Sequence, residues 1–437
     1  MKLNLSKKVP KIIKSVPRTL KKPIPKVMEK LPEMSSVIDK LPEMPNVMDK
    51  LPEMSKVKEM IPEVSKVKEM IPEVSAVKEK LTDINMETIK GYEQGVKKKL
   101  EPVVEKLEPV VEKMEPVKEK IEPVLSKYLE REPKAFSGVN ELPGGTASDN
   151  IVKGCVVVEG GAFRGLYASG VLDAMMKHDL NLECTVGVSA GAMNGINYVA
   201  GQIGRSGRVN LKYRHDGRYV GFHAMMHNQG LIGFDFVLGG GLDDTDPLNT
   251  ERFYSPDREF VAVATDVITG QAEYFKKSEC EDIMQAVRAS ASMPYLSQPG
   301  EIGTSAYLDG GCSVKIAVDW AIEQGYEKII VIRTRDKAFR YTEEACEKSY
   351  KRAKAFYKDY PLFAERLGNS SADYNTLCDH IEALEAEGRV YVIYPSRPPH
   401  VSRVEGDMEK LGGLYYQGYG DTLSQIQEIR EYLGVVD

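Results

Sequence analysis

The sequence predicts an α/β fold with a mainly parallel sheet, preceded by a repetitive arm. Two apolar, β-branched runs, GCVVV (154–158) and CTVGV (184–188), each end at a polar residue and lead into a segment with helical periodicity. Between residues 30 and 126, by contrast, units that contain proline are repeated. A chain of 437 residues is long enough for two or three domains, or for one large α/β domain with an appendage.

The arm, residues 1–136, contains two kinds of repeat. A ten-residue unit recurs from Lys30 (KLPEMSSVID and its variants), and a seven-residue unit recurs from Lys99 (KLEPVVE and its variants). Each heptad contains a proline, which costs a helix interior about 3 kcal/mol, so one continuous α-helix is excluded. Two interpretations stay open. The arm is either a loosely structured spacer or an amphipathic segment that lies on lipid.

Charge is unevenly distributed along the chain. Residues 1–135 contain 29 basic and 23 acidic residues, a net charge of +6, whereas the rest contains 30 and 42, a net charge of −12. A basic arm on an acidic body predicts an anionic partner for the arm, most simply a membrane surface. Nucleic acid is not predicted as a partner, because no aromatic residues alternate with the lysines.

Targeting signals and cysteine spacing bear on the compartment. The sequence contains no apolar run of 18 residues, no apolar core of a secretory signal and no C-x-x-C pair. We therefore expect a reduced, cytoplasmic protein, peripheral at the inner face of the membrane where the arm binds.

The first two predicted strands place two loops next to each other. A strand–helix–strand connection is right-handed and leaves its strands parallel, so their carboxyl ends lie at the same edge of the sheet. The loop GGAFRG follows the first strand, and Ser189 follows the second. The sequence thus predicts that this loop and Ser189 are neighbours.

Ser189 has the setting of a nucleophile. Gly187 and Gly191 flank it in a G-x-S-x-G turn between strand and helix, which projects the serine. The loop is predicted to supply backbone N–H groups to an oxyanion hole, a stabilisation of about 2.7–4 kcal/mol per donor. Its residues are Gly160, Gly161, Ala162, Phe163, Arg164 and Gly165. Alone, either motif also fits a plain tight turn or a phosphate-binding loop. Together, on consecutive strands, they favour acyl transfer.

Asp309 is the predicted base. It ends a short apolar run and precedes Gly310 and Gly311, so that it reaches the same edge if this run joins the sheet. Two alternatives stay open: an ordinary Asp-Gly turn, and a Ser-Asp-His triad completed by His400, which lies in the loop SRPPHVSR.

These motifs, in this order, resemble the patatin-like phospholipase family over about residues 153–337. Further stretches, among them REFVAVATDVITG (258–270) and AVRASASMPYL (286–296), resemble a bacterial branch of that family. The resemblance implies a three-layer α/β/α patatin-like fold with a mostly parallel central sheet. It also implies a Ser-Asp dyad, with Ser189 as nucleophile and Asp309 as general base. The family loop is usually G-G-G-x-R/K-G, so Ala162 departs from it. Alanine fits this position unless the residue needs a positive φ.

The function implied is that of a serine acyl hydrolase, which cleaves phospholipid or other acyl-ester substrates through an acyl-enzyme. No cofactor is implied, and no metal is predicted, since no His, Asp or Glu cluster has ligand spacing. The non-enzymatic alternative is a lipid-surface adaptor that keeps the fold without turnover.

The domain prediction divides the chain into four parts. Residues 1–136 are the arm and 137–150 a linker rich in Gly and polar residues. Residues 151–337 form the catalytic domain. Residues 338–437 form a C-terminal α/β subdomain that covers it and contributes no catalytic residue.

Overall fold

A computed structural model describes residues 135–221, 224, 230–238 and 240–435. The repeats of the arm lie outside these residues, so the two interpretations of the arm remain predictions. Residues 133–437 form one compact unit.

Most strands belong to one mixed sheet. In chain order the strands of the described ranges are β1 (Gly145–Thr146), β2 (Val152–Val158), β3 (Leu182–Val188), β4 (Gln202–Ile203), β5 (Glu259–Asp266), β6 (Ala272–Lys276), β7 (Gly300–Ile302), β8 (Ser305–Asp309), β9 (Ile329–Ile332) and β10 (Tyr391–Ile393). The order in the main sheet is β10-β9-β2-β3-β5-β8-β7, and β6 pairs with β5. The five strands from β10 to β5 are parallel, whereas β6, β7 and β8 run antiparallel to their neighbours. β1 and β4 pair separately.

Helices of the described ranges connect these strands, and two of them follow the last strand. In chain order they are α1 (Leu166–Lys177), α2 (Ala190–Val199), α3 (Arg205–Tyr213), α4 (Phe234–Val237), α5 (Thr250–Tyr254), α6 (Ile283–Ser290), α7 (Val318–Glu323), α8 (Glu343–Phe356), α9 (Pro361–Ala386), α10 (Met408–Ser424) and α11 (Ile426–Leu433). Short 3₁₀ turns span Ala162–Gly165 and Gly310–Cys312.

Both faces of the sheet are covered by helices. Alternate side chains of β2 point to opposite faces: Val156 and Val158 lie in one apolar cluster with residues of α1 and α10. Cys155 and Val157 lie in another cluster, with residues of α7 and α9. The predicted three-layer α/β/α fold with a mostly parallel sheet is therefore confirmed.

The register of β5 determines where Asp309 lies. β6 pairs with β5 from Val261 to Thr265 and so takes one edge of that strand. Since a strand has only two edges, β3 and β8 share the other one. β3 pairs with residues of β5 up to Val263, and β8 pairs with residues of β5 from Ala264 onward. The carboxyl ends of β3 and β8 thus meet head to head. The sequence placed Asp309 at this edge if its strand joined the sheet, but it did not show that β8 arrives antiparallel.

The C-terminal residues share the sheet and its helical layers. β10 pairs with β9 in parallel register, and α10 crosses closely over α1. Asp407 is the N-cap of α10, and its carboxylate accepts the N–H groups of Glu409 and Lys410. Within the described ranges, no helix is both long and apolar enough to cross a bilayer.

Candidate active site

Ser189 occupies a strained turn between β3 and α2. Its φ is +57° and its ψ is −123°, a conformation that L-residues seldom adopt. The turn brings backbones together so closely that a Cβ on Gly191 would lie 2.2 Å from the carbonyl oxygen of Val158. A Cβ on Gly187 would lie 2.5 Å from the nitrogen of Ala192. Both flanking glycines are therefore required sterically.

Asp309 is in direct contact with this serine. Ser189 Oγ donates a hydrogen bond of 2.6 Å to Asp309 Oδ2, and the N–H of Gly311 donates one of 2.8 Å to Oδ1. The two residues are 7% and 8% exposed. Burial raises the pKa of Asp309 above its ordinary value, and the bonds from Ser189 and Gly311 oppose that rise. A Cβ on Gly310 would lie 2.2 Å from the carbonyl oxygen of Val263, so this turn also needs its glycine.

The glycine-rich loop lies beside the serine. A Cβ on Gly160 would lie 3.0 Å from that of Ser189. In the loop, the N–H of Phe163 donates to the carbonyl of Arg403 at 3.3 Å, and the N–H of Arg164 donates to Gly161 at 3.2 Å.

The remaining donors of this loop are at its beginning. The N–H groups of Gly160, Gly161 and Ala162 donate to no atom of the described residues. The φ of Ala162 is +51°, in the left-handed region that favours glycine. The position where this loop departs from the family pattern is thus one that needs a positive φ.

A buried polar network supports the start of the loop, and sequence reasoning did not identify it. Glu159 is 4% exposed and accepts hydrogen bonds from the N–H of Thr334 at 2.5 Å and from the hydroxyl of Tyr374 at 2.7 Å. Thr334 Oγ1 in turn donates to the carbonyl of Gly160 at 2.9 Å. A carboxylate directly after an apolar strand was the available signal, because such a group needs partners when it is buried.

Two further polar side chains hold the loop and the serine. Asn194 of α2 donates from Nδ2 to the carbonyl of Gly165 at 2.7 Å. Ser290, at the end of α6, accepts the N–H of Ser189 at 2.9 Å and is fully buried. The sequence pattern gave no reason to choose these two residues, because both contacts are made between elements.

Among the described residues, no histidine forms a hydrogen bond with the side chain of Ser189 or Asp309. His400 is exposed and forms no hydrogen bond with Ser189 or Asp309. His380 bonds to Asp319 instead, at 2.9 Å. Within the described ranges, no group of three His, Cys, Asp or Glu residues is arranged to hold a metal ion.

Two segments of the chain match models of known families. The model of the patatin-like phospholipase family matches residues 156–321, and that of a domain of unknown function, DUF6363, matches residues 360–434. An Escherichia coli K12 protein, described as the uncharacterized protein YjjU, is 27% identical over 252 residues, which cover 56% of this chain and 69% of that protein.

One solved structure is also similar. The crystal structure of VipD from Legionella pneumophila aligns with a TM-score of 0.35 and 14% identity over 65% of this chain and 68% of that chain. The family match includes the glycine-rich loop, Ser189 and Asp309. Residues 156–321 are therefore similar to the patatin-like phospholipase family.

Proposed function

We propose that this protein is a serine acyl hydrolase that cleaves fatty-acyl esters of lipids. The observation that carries the proposal is the 2.6 Å hydrogen bond from Ser189 Oγ to Asp309 Oδ2. Both residues lie in the segment that matches the family model, and that match supports a lipid hydrolase in general. The role of each residue and the acyl-enzyme are the finer parts of the proposal.

The proposed first step forms an acyl-enzyme. Asp309 accepts the proton of Ser189 as Oγ bonds to the ester carbonyl carbon, and the carbonyl electron pair moves onto oxygen. When the tetrahedral intermediate collapses, the bond to the alcohol breaks and the alcohol takes the proton from Asp309. Water then gives its proton to Asp309 and attacks the acyl carbon. Ser189 Oγ leaves with that proton, and the fatty acid is released.

The oxyanion is assigned to the N–H groups of Gly160, Gly161 and Ala162. Gly160 lies beside Ser189, and none of the three N–H groups has an acceptor among the described residues, whereas the N–H groups of Phe163 and Arg164 are already engaged. A preorganised donor that faces the developing charge stabilises the transition state without reorganisation.

The two rival functions have less support. A triad would need His400 to reach Asp309, yet it forms no hydrogen bond with it. An adaptor without turnover would not need Ser189 held at a strained φ in contact with a buried carboxylate.

Hydrolysis of a soluble p-nitrophenyl ester by matched variants tests the proposal. We expect Ser189→Ala to reduce kcat/KM to near background and Asp309→Asn to lower it by about 10²–10⁴-fold, the usual contribution of a general base. His400→Ala should retain wild-type activity. Loss of activity in His400→Ala to the same degree as in Asp309→Asn would favour the triad instead.

A further inference from the structure

Tyr374 of α9 holds the start of the glycine-rich loop from outside the segment that matches the patatin-like family. Its hydroxyl donates to Glu159 Oε1 at 2.7 Å, and Glu159 Oε2 accepts the N–H of Thr334 at 2.5 Å. Thr334 Oγ1 donates in turn to the carbonyl of Gly160 at 2.9 Å. These hydrogen bonds form a continuous path from α9 to the loop.

This path is enclosed by the protein. Glu159, Thr334 and Tyr374 are all buried, and burial raises the pKa of Tyr374, so its hydroxyl keeps the proton that it donates. The same hydroxyl accepts a hydrogen bond of 2.8 Å from Arg333 Nη2, and Arg333 Nε lies 3.8 Å from Glu159 Oε2. Loss of a donor from a buried carboxylate is costly, so each link of the path constrains the next.

The last bond of the path sets the direction of a proposed oxyanion donor. The carbonyl of Gly160 and the N–H of Gly161 belong to one planar peptide group, in which they point in opposite directions. Thr334 holds that carbonyl and thereby directs the N–H of Gly161 away from itself. A Cβ on Gly161 would lie 2.9 Å from Thr334 Oγ1, so the loop and this hydroxyl are in close contact.

The same helix is tied to the turn that carries the proposed base. Lys315 Nζ donates to the carbonyl of Ser370 on α9 at 2.7 Å and to the carbonyl of Gly311 at 3.1 Å. Gly311 in turn donates its own N–H to Asp309 Oδ1. Since α9 holds both the glycine-rich loop and the turn after β8, one helix fixes these two parts of the site relative to each other.

We propose that Tyr374 is a positioning residue of the proposed oxyanion hole, which gives the region that matches DUF6363 a role in catalysis. Its hydroxyl acts through Glu159 and Thr334 and keeps the N–H of Gly161 aimed at the oxyanion that forms beside Ser189. The inference rests on the proposed function and adds to it a residue that touches neither substrate nor nucleophile.

Substitution of Tyr374 by phenylalanine separates the hydroxyl from the ring, which packs against Phe339 and Tyr341. Tyr415→Phe is the matched control, because Tyr415 of α10 also donates a 2.7 Å hydrogen bond to a buried carboxylate, that of Asp173. In the full chain, with a soluble p-nitrophenyl ester, we expect Tyr374→Phe to lower kcat by about 10–100-fold at an unchanged KM, because a displaced donor weakens only the transition state. Tyr415→Phe should keep the wild-type kcat, while thermal unfolding shows a similar loss of stability in both variants.

A second pair of variants tests the last link of the path. Thr334→Val removes the hydroxyl that holds Gly160 and should reproduce the loss of kcat, whereas Thr334→Ser retains this hydroxyl and should keep most of the activity. Because both positions act through one path, the double variant with Tyr374→Phe should lose less kcat than the product of the two single losses.

Inhibition by an alkyl trifluoromethyl ketone reports the oxyanion directly. Ser189 Oγ adds to the carbonyl carbon, its proton passes to Asp309, and the carbonyl electron pair makes the ketone oxygen an anion. The Ki of this ketone should rise in Tyr374→Phe by about the same factor as kcat falls, and should stay unchanged in Tyr415→Phe.

The outcomes separate this inference from the proposed function. A wild type that neither hydrolyses the ester nor binds the ketone would overturn the proposed function, and the oxyanion hole with it. With an active wild type, a kcat and a Ki in Tyr374→Phe equal to those of Tyr415→Phe would overturn the inference alone. Equal losses in Thr334→Val and Thr334→Ser would also overturn it, because the hydroxyl would then have no role.

Discussion

Asp309 combines two opposing demands at the scale of a single residue. The proposed mechanism requires its carboxyl to be ionised so that it can accept a proton, yet the residue is 8% exposed, and burial raises its pKa. The hydrogen bonds from Ser189 and Gly311 favour the ionised form and oppose this effect. In the proposed mechanism, the readiness of Asp309 for proton transfer therefore has a cost in folding stability.

The stability of an Asp309→Asn variant tests this conflict. When the folded-state pKa of an acid is raised, the folded protein loses stability as the pH rises through that pKa. Asparagine stays neutral, so we expect the variant to have a higher Tm than the wild type at pH 8, and the difference to shrink as the pH falls.

Thermal unfolding at several pH values measures this, with Asp359→Asn as the control because Asp359 is exposed. A lower Tm for Asp309→Asn than for the wild type at pH 8 would show that the ionised carboxylate stabilises the fold.

At the residue scale, the sequence was sufficient to predict those site residues that lie within a short recognisable motif. Ser189 and Asp309 could be chosen because glycines surround them in recognisable spacings. Asn194 and Ser290 could not, because their contacts form only when α2 and α6 pack around the glycine-rich loop and the turn at Ser189.

At the scale of the elements, the site depends on two strands that end at the same point of β5. Periodicity predicted β2, α1, β3 and α2 in the correct order, since their apolar runs are long enough to show a period. The antiparallel course of β8 was not predictable, because a five-residue strand has no signal for its direction.

The crossing of α10 over α1 offers a second test at this scale. A Cβ on Gly418 would lie 2.1 Å from the carbonyl oxygen of Tyr167, so alanine forces the helices apart. We expect Gly418→Ala to lower the free energy of unfolding by roughly 1–3 kcal/mol, as overpacking usually does.

Gly420→Ala is the matched control, since it lies on the same helix with no atom within 4 Å of its added Cβ. It should raise the free energy of unfolding by about 0.5–1 kcal/mol, because alanine favours a helix over glycine. Urea unfolding compares the two variants. Equal stability of both variants would contradict the close crossing of α10 and α1 at Gly418.

At the scale of the whole molecule, the segment that matches the patatin-like family and the C-terminal region belong to one compact unit. β10 extends the sheet beside β9, and the carbonyl of Arg403 holds the glycine-rich loop. The sequence predicted a subdomain that covers the site. The sequence did not predict that this region adds a strand to the main sheet, because a three-residue strand such as β10 is too short to show a period.

The basic arm leads to a prediction about membranes. Residues 1–30 contain ten Lys or Arg and one Glu, and each cation near an anionic surface contributes about 1 kcal/mol of attraction. We propose that the arm binds anionic membrane. Deletion of residues 1–132 should lower co-sedimentation with phosphatidylglycerol vesicles, but not with phosphatidylcholine vesicles, and should spare hydrolysis of the soluble ester. Undiminished binding of the truncated protein to the anionic vesicles would refute this role.

Covalent labelling of Ser189 by a fluorophosphonate tests the central claim most directly, because it reports the nucleophile without choosing a lipid. Intact mass and peptide mapping should place one adduct on Ser189 of the wild type. Ser189→Ala should give no adduct, and Asp309→Asn should react much more slowly. An unlabelled Ser189 in the folded wild-type protein, or equal labelling of Asp309→Asn, would contradict the proposed Ser-Asp mechanism.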